Sequence, residues 1–265
     1  MAASIYGDYA PVYDAIGQGR FGAHIAGWTR RWLDACGARG AHVLDLACGT
    51  GAAALAFAAA GCAVVGVDQS SAMLRIAQGR ARAAGYDITF VEGDIRSLND
   101  DNCSRGFDSS LIAHRSSFDL VTCFADSLNY LTADGDLDRV FAGAAAALGP
   151  GGHLVYDLNS EAEYTTWDER DIVTYDGRDY LVYNKLSYEP ETRLATGRIV
   201  WFVRETKLWW RGEETHTQRA WSDVEVCGAL ARAGLALVGR FDVGGAEVSE
   251  SVADVARVVY IARRT

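Results

Sequence analysis

Long apolar runs, paired cysteines and clusters of basic residues are all missing from this 265-residue chain. No apolar run approaches the ~20 residues that a helix needs to cross a bilayer, so the sequence predicts no membrane span. The six cysteines form no C-x-x-C pair, which argues against a zinc site or a disulfide framework and favours a reducing, cytoplasmic setting. The opening segment MAASIYGDYAPVYD has neither a basic start nor an apolar stretch, and it therefore predicts no signal peptide.

Acidic residues outnumber basic ones, because 35 aspartates and glutamates stand against 25 lysines and arginines and give a formal charge of −10. An acidic protein repels a phosphate backbone, so we expect no nucleic acid among its partners. The sequence shows no Ser-His-Asp or Cys-His arrangement, and we expect no metal. Its length suits one large α/β domain that carries a substantial insertion.

The segment HVLDLACGTG, from His42 to Gly51, predicts the end of a buried strand, a glycine turn and the start of a helix. Its glycines let the backbone turn sharply and approach a ligand closely. The helix N-terminus adds unpaired N–H groups and a partial positive charge at the same place. The pattern therefore indicates a cofactor site on bare backbone, although an ordinary strand-to-helix turn has the same residues.

The next two predicted strands, AVVGVDQS and ITFVEGD, each end in an aspartate. The Asp68 carboxylate can accept hydrogen bonds from both hydroxyls of a ribose. Ser70 predicts a helix N-cap, and Met73 one turn later either lies against a base or fills the core. Asp94 and the Ile95 amide can together pair with the edge of adenine. The following segment, 96–117, is polar and irregular, and we predict one short helix there without a chemical role.

Polar residues also follow the fourth and fifth predicted strands, FDLVTC and HLVYDLN. Ligands gather at this edge of an open α/β sheet, so we expect the acceptor of any reaction there. The candidates for contact with a substrate are Asp126, Asn129, Asp157 and Asn159. Tyr130 leaves the fourth strand at the same edge and is a candidate for shaping the pocket.

From about Arg170 to Ala220 the pattern changes to period two and predicts a meander of three or four antiparallel strands. Its aromatic face either covers the mouth of the site or forms a dimer surface. His216 at its end is either a site residue or a surface histidine. Arg219 either binds a substrate anion or pairs with an acid of the insertion.

The two ends of the chain complete this picture. Residues 1–40 predict a helical cap in which Trp28 and Trp32 pack in the core, while Tyr13 can fold over the mouth. Ser222 and Glu225 predict a capping box, and LALVGRFDV and RVVYIARRT predict two more strands. The predicted divisions are the cap at 1–40, the core at 41–159, the β insertion at 160–220 and the completion of the core at 221–265.

Five segments in this order, DLACGTG, VVGVDQS, EGDIRSL, FDLVTCFADSLNYL and LGPGGHLVYDLN, together resemble the class I S-adenosylmethionine-dependent methyltransferases. The resemblance implies an α/β, Rossmann-like, mostly parallel seven-stranded sheet with one reversed strand at the edge, plus the inserted meander. It implies S-adenosylmethionine as the cofactor, with the methionine part near the glycine turn, Asp45 beneath it and the carbonyl of Phe124 facing the methionine amine. The cofactor-binding residues so expected are Tyr13, Asp45, Ala47, Gly49, Gly51, Asp68, Gln69, Met73, Gly93, Asp94, Ile95 and Phe124.

The insertion and the YAPVYD start look most like small-molecule methyltransferases, including the N,N-dimethyltransferases of nucleotide-linked aminosugars. Those enzymes carry an imidazole on the loop after the fourth strand, where this chain has Tyr130. The expected reaction is methyl transfer to a nitrogen or oxygen of a small molecule, with Tyr130, Tyr13 and His216 as candidate catalytic residues. The alternatives are a protein or RNA methyltransferase, an aminopropyltransferase and a non-catalytic cofactor-binding module; a homodimer is also possible.

Overall fold

A computed structural model describes residues 5–38, 40–98, 118–248 and 251–265. The predicted short helix in the segment 96–117 therefore lies mostly outside the described residues, apart from a 3-10 turn at Ile95–Ser97. The helices are α1 (Ala10–Ala15), α2 (Arg20–Ala35), α3 (Ala52–Ala59), α4 (Ser71–Ala84), α5 (Asp136–Ala147), α6 (Glu161–Tyr164) and α7 (Asp223–Arg232). The strands are β1 (His42–Leu46), β2 (Ala63–Asp68), β3 (Thr89–Glu92), β4 (Phe118–Cys123), β5 (Leu148–Asn159), β6 (Arg170–Asp176), β7 (Tyr180–Glu189), β8 (Leu194–Glu205), β9 (Leu208–Arg219), β10 (Leu235–Asp242) and β11 (Arg257–Arg264).

The main sheet has seven strands in the order β10-β11-β5-β4-β1-β2-β3. Strands β1 to β5 pair in parallel, and β11 runs antiparallel to both of its neighbours, β10 and β5. The predicted seven-stranded sheet with one reversed strand is confirmed. The expectation that the reversed strand forms the edge is wrong, because β10 pairs along the outer side of β11 and takes the edge itself.

Apolar side chains leave the central strands on alternate faces, as the two-residue period of a strand requires. Leu44 and Leu46 join the larger core cluster with residues of α5 and α7, whereas Val43 joins a second cluster with residues of α2 and α3. The sheet is thus covered on both sides, and its carboxyl edge between β1, β2, β3 and β4 is left to hold a ligand.

The helices α4 and α7 begin at the caps that the sequence predicts. The Ser70 side chain accepts a hydrogen bond from the Met73 amide at the start of α4, and Gly85 ends that helix with φ 73°. The capping box of Ser222 and Glu225 is present at the start of α7. Strand β5 begins earlier than predicted, because Leu148 already pairs with Phe118 and the glycine-rich segment 149–152 continues as strand.

The insertion forms the predicted meander as a separate four-stranded sheet in the order β6-β7-β8-β9. Its inner face packs against the start of the chain, where Val182 and Trp201 share a buried cluster with Tyr9 and Val12. The same sheet also has exposed apolar side chains, which are Val173 of β6 and Leu208, Trp209 and Trp210 at the start of β9. The meander therefore covers the N-terminal segment through its inner face, while the start of β9 extends beyond that contact.

The remaining aromatic predictions concern α2. Trp28 lies with its ring centroid 5.1 Å from that of Phe241, and Trp32 lies 5.6 Å from His153. Both tryptophans are partly buried and pack against the core cluster of α2 and α3, as predicted, and His153 is buried. Within the described residues, no helix is both long and apolar enough to span a membrane.

Candidate functional site

The glycine turn after β1 contains three alternate residues in left-handed backbone conformations. They are Ala47 at φ 51°, Gly49 at φ 55° and Gly51 at φ 76°. A Cβ at Gly49 would meet no atom within 4 Å, so glycine is needed there for its conformation and leaves the backbone open to the cavity. Ala47 adopts the same conformation at a steric cost, in the position where the resembled family usually has glycine.

Gly51 has a different role from the predicted one, because it is absent from the residues that line the cavity. A Cβ at Gly51 would lie 3.0 Å from the Cβ of Ala77 and 3.3 Å from the ring of Phe90. This glycine thus lets α3 begin while α4 and β3 pack closely against the turn.

The cavity lies at the carboxyl edge of β1 to β4, and every other predicted cofactor residue lines it. Those residues are Tyr13, Asp45, Ala47, Gly49, Asp68, Gln69, Met73, Gly93, Asp94, Ile95 and Phe124. Residues that were not predicted to bind the cofactor line it as well, including Ile5, Tyr6, Gly19, Ser70, Arg96, Ala125, Ser127 and Leu131. Tyr130 lies in the same wall.

Asp68 joins the end of β2 to the glycine turn. Its carboxylate accepts hydrogen bonds from the backbone amides of Gly49 and Ser70, each at 2.8 Å. Burial raises the pKa of Asp68, while these two amides act in the opposite direction. The amides fix the orientation of the carboxylate, and each oxygen keeps a lone pair for a further donor such as a ribose hydroxyl.

Asp45 is a buried acid beneath the turn, and it supplies a test of whether the cavity suits the expected cofactor. Its Oδ1 accepts a hydrogen bond from the Thr122 hydroxyl at 2.8 Å, while Oδ2 has no hydrogen-bond partner among the described residues. Burial raises the pKa of Asp45 to about 7, and the Thr122 hydroxyl offsets part of that rise. A buried carboxylate with one oxygen that lacks a donor fits a ligand that brings a cationic amine, as S-adenosylmethionine does.

Asp94 is held at the other end of the cavity by Arg96, a residue that the sequence motif EGDIRSL contains but that was not assigned a role. The Arg96 guanidinium donates to both Asp94 oxygens, and the Arg96 amide donates at 2.9 Å. Burial acts to raise the pKa of Asp94, but the Arg96 contacts outweigh it and the pKa falls below its usual value. Asp94 is therefore an ionised acceptor beside Ile95, as recognition of an adenine edge requires.

The loop after β4 has a strained backbone, and residues of β5 and β11 hold it in place. Ala125 and Asp126 both have positive φ, 59° and 50°, and their amides donate to the Asp157 carboxylate at 2.7 and 2.9 Å. Arg257 bridges the two acids, donating to Asp157 at 3.1 Å and to Asp126 at 2.8 Å, and its guanidinium lies 4.5 Å from the Phe21 ring. These contacts hold the strained loop in place beside the cavity, which Phe124, Ala125 and Ser127 line.

The predicted substrate-contacting residues are not brought to the cavity. None of Asp126, Asn129, Asp157, Asn159 and Arg219 lines it. The side-chain amide of Asn129 donates to the backbone carbonyls of Asn159 and Arg219. The backbone amide of Asn159 donates in return to the side-chain oxygen of Asn129. Because these polar groups satisfy backbone atoms behind the wall, their role in the structure is to shape it.

Arg219 pairs with acids outside the insertion, contrary to the alternative proposed from sequence. It lies 2.7 Å from Asp134 and 3.0 Å from Glu225, and its guanidinium lies 3.9 Å from the Trp221 ring. The arginine thus fastens the end of β9 to the core, and Thr132 accepts a further hydrogen bond at 3.1 Å.

A chain of hydrogen bonds connects the cavity wall to the insertion. The hydroxyls of Tyr6 and Tyr130 lie 2.8 Å apart, and the Tyr130 hydroxyl lies 2.8 Å from Nδ1 of His216. Nε2 of His216 lies 3.2 Å from the Glu214 carboxylate. His216 is 4% exposed, so it is a buried partner of Tyr130 and not a surface histidine.

Residues 5–13 close this side of the cavity. The Ser70 hydroxyl donates to the carbonyl of Tyr6 at 2.8 Å, and the Glu214 carboxylate accepts from the Tyr6 amide at 2.7 Å. The rings of Tyr6 and Tyr13 meet edge to face with centroids 5.7 Å apart. The N-terminal segment is thus fixed both to the start of α4 and to β9.

Sequence reasoning missed Tyr6, Glu214 and Arg257. The sequence held one signal for Glu214, because the polar residues Glu214, His216 and Gln218 alternate along the strand β9. The structure shows that all three side chains are buried or nearly so. Three polar side chains on the buried face of one strand require polar partners, and such a pattern indicates a site. No comparable signal marked Arg257.

Comparisons with known proteins agree with this geometry. Residues 43–152 match the methyltransferase domain family. A Bacillus subtilis protein named as a methyltransferase, YqeM, is 34% identical over 156 residues, which cover 59% of this chain and 56% of that protein. The demethylmenaquinone methyltransferase of Thermus thermophilus is 36% identical over 155 residues, covering 57% of this chain and 62% of that enzyme. The chain thus matches little more than half the length of these curated relatives.

Solved structures extend the likeness to the whole chain. An S-adenosylmethionine-dependent methyltransferase of Clostridium acetobutylicum has a TM-score of 0.80 at 24% identity and covers 98% of this chain and 99% of its own. DesVI of Streptomyces venezuelae has a TM-score of 0.73 at 22% identity, covering 97% and 98%. Identities this low show a shared fold, including the inserted sheet. Residues 43–152 therefore match a methyltransferase domain, and the whole chain shares the fold of solved S-adenosylmethionine-dependent methyltransferases.

Proposed function

We propose that this protein transfers the methyl group of S-adenosylmethionine to a nitrogen or oxygen of a small-molecule acceptor. The observation that carries the proposal is that one cavity is lined both by the predicted cofactor-binding residues and by the three tyrosines Tyr6, Tyr13 and Tyr130. A sulfonium methyl is already activated, so the protein must mainly align the acceptor and exclude water.

On the donor side, each residue has a role that suits one part of the cofactor. Asp68 accepts from the ribose hydroxyls, while Asp94 and the Ile95 amide pair with the adenine edge against Met73. Asp45 compensates the methionine amine, and the Phe124 carbonyl, which accepts from Ser127 at 2.7 Å, keeps a second lone pair for the same amine.

On the acceptor side, the wall is aromatic and narrow. Tyrosine faces favour the positive charge that the methyl group carries during transfer. Hydrogen bonds hold residues 5–13 against both Ser70 and Glu214 of β9, so the N-terminal segment lies over part of the cavity, where Ile5, Tyr6 and Tyr13 line it. This partial cover supports a small acceptor over a folded protein or RNA.

Relatives with the same fold support that acceptor class without fixing the molecule. CalS10 of Micromonospora echinaspora is described as an amino pentose methyltransferase and KedS8 of Streptoalloteichus as a sugar N-methyltransferase. A Streptomyces relative, 33% identical over 145 residues, is a cypemycin N-terminal methyltransferase, so a peptide amine is the main alternative.

The described cysteines are all free, which supports a cytoplasmic location.

The test is formation of S-adenosylhomocysteine, followed by mass spectrometry, with labelled S-adenosylmethionine and separate panels of acceptors. The panels are nucleotide-linked sugars and aminosugars, phenols and quinols, short peptides and total RNA. We expect the label in a small molecule. Label found only in peptide or RNA would contradict the acceptor class, and cofactor binding without transfer to any panel would favour a binding module.

A further inference from the structure

Glu214 stands between two parts of the site. Its Oε1 accepts from the amides of Gly7 at 3.2 Å and Tyr9 at 3.4 Å, while its Oε2 accepts from the Tyr6 amide at 2.7 Å. The same Oε2 lies 3.2 Å from Nε2 of His216. One largely buried carboxylate thus fixes both the N-terminal segment and the imidazole.

These contacts define which nitrogen of His216 can exchange a proton. Burial acts to raise the pKa of Glu214, but the hydrogen bonds from His216 and from the amides of Tyr6 and Tyr9 outweigh it and lower the pKa. The ionised carboxylate can only accept, so Nε2 carries a proton whether the imidazole is neutral or charged. Nδ1, which faces Tyr130, is the nitrogen that gains or loses one.

When the imidazole is neutral, its unprotonated Nδ1 determines which hydroxyl donates in the hydrogen bonds of Tyr130 and Tyr6. Nδ1 accepts from the Tyr130 hydroxyl, whose oxygen then accepts from the Tyr6 hydroxyl. Both phenols line the cavity, so either oxygen can take a proton there while its own proton moves one step toward His216. Burial raises the pKa of both phenols, which argues against a resting phenolate and leaves His216 as the final proton acceptor.

We propose that Tyr6, Tyr130 and His216 form a proton relay, held in one direction by Glu214, which deprotonates a hydroxyl group of the methyl acceptor. The proposal rests on the proposed methyl transfer and narrows it to an oxygen acceptor, because an uncharged amine needs no base. Glu214 is the positioning residue, and the hydrogen bonds to the N-terminal segment make the relay complete only when that segment covers the cavity.

The step balances in atoms and charge. The acceptor oxygen bonds to the methyl carbon as the carbon–sulfur bond breaks, and the electron pair of that bond stays on sulfur. The acceptor proton passes to a phenol oxygen, and a phenol proton passes to Nδ1 of His216. Positive charge that began on the sulfonium ends on the imidazolium, where the Glu214 carboxylate offsets it.

The first test reads the imidazole directly, without turnover. Nuclear magnetic resonance of protein labelled with ¹⁵N-histidine, with S-adenosylhomocysteine bound, reports which nitrogen is protonated, and His216→Gln identifies the signal among the five histidines. We expect the proton on Nε2, and we expect Glu214→Gln to shift the tautomer toward Nδ1–H. A proton on Nδ1 in the unaltered protein, or no change in Glu214→Gln, would overturn the relay.

Glu213→Gln is the matched control. Glu213 directly precedes Glu214 in β9, its side chain lies on the opposite face of the sheet, and it pairs with Arg198 and Arg211. That variant should leave the His216 signals unchanged. If both variants shift them equally, the effect of Glu214 is a general disturbance of the strand and the assignment fails.

The second test separates the relay from methyl transfer itself, using UDP-glucose against UDP-glucosamine and p-cresol against p-toluidine. We expect methylation of the hydroxyl member and a loss of about 100-fold in turnover in His216→Gln, with unchanged S-adenosylhomocysteine affinity. Methylation of the amine alone, unaffected by His216→Gln, would overturn the relay while methyl transfer stands. If no member of either pair reacts, the proposed function loses support and the tautomer measurement still decides the arrangement of the imidazole.

Discussion

Single residues set the donor end of the cavity, and Asp68 is the clearest case. It was predicted from its position at the end of a strand, and the structure adds that two backbone amides orient its carboxylate. Ribose hydroxyls would therefore meet a carboxylate that is already positioned, so little ordering is needed when the cofactor binds.

Asp68→Ala should weaken binding of S-adenosylmethionine by about 2 kcal/mol, the scale for losing hydrogen bonds to a charged group. Isothermal titration calorimetry measures the change directly. Asp87→Ala, at an exposed position beyond α4, is the control and should bind as the unaltered protein does. Equal affinity in Asp68→Ala would contradict the ribose assignment.

Tyr130→Phe should lower turnover far more than cofactor affinity, because it removes the hydroxyl between Tyr6 and His216 and leaves the aromatic wall in place. Comparing turnover with the dissociation constant of S-adenosylhomocysteine checks this. Tyr86→Phe, at a partly exposed ring, is the control. Parallel losses of both quantities would place Tyr130 on the donor side instead.

At the scale of elements, strand ends could be predicted from sequence, and contacts between distant elements could not. Asp68, Asp94 and the glycine turn each follow a strand with a clear local pattern, so their common edge was predictable. Tyr6 and Glu214 are 208 positions apart, and the packing of the N-terminal segment against β9 brings them together. Local periodicity carries no information about that docking.

Glu225 links the insertion to α7, because its carboxylate accepts from Arg193 and Arg219 as well as from Ser222. Burial acts to raise its pKa, but these partners outweigh it and lower the pKa from 4.5 to about 2. A lowered folded-state pKa means that its stabilising contribution is complete above pH 4.5 and is lost as the pH falls toward 2.

Glu225→Gln should therefore reduce the free energy of unfolding at neutral pH by roughly 1 kcal/mol, a figure discounted for partial exposure. It should also lose less stability than the unaltered protein between pH 4.5 and 2. Urea unfolding across that range measures both effects. Identical pH profiles for the two proteins would show that the link contributes nothing.

For the molecule as a whole, the site is maintained at a cost in stability. Asp45 and Asp157 have pKa values raised from 3.8 to about 7 and about 6, mainly by burial. A raised folded-state pKa makes these groups destabilising as the pH rises from 3.8 through those values, because the folded state then holds protons that the unfolded state releases.

Asp45→Asn should raise the free energy of unfolding without cofactor at neutral pH by about 1–2 kcal/mol and flatten its pH dependence. The same variant should bind S-adenosylmethionine more weakly, since the methionine amine loses its charged partner. Urea unfolding and calorimetry on one preparation give both numbers. Loss of stability together with unchanged binding would contradict the role assigned to Asp45.

The most direct test of the central claim is a crystal structure with S-adenosylhomocysteine bound. We expect adenine between Met73 and Ile95, the ribose on Asp68, the amine near Asp45, and the sulfur facing Tyr6 and Tyr130. A cofactor whose sulfur points away from these two phenols, or which lies outside the cavity, would contradict the account.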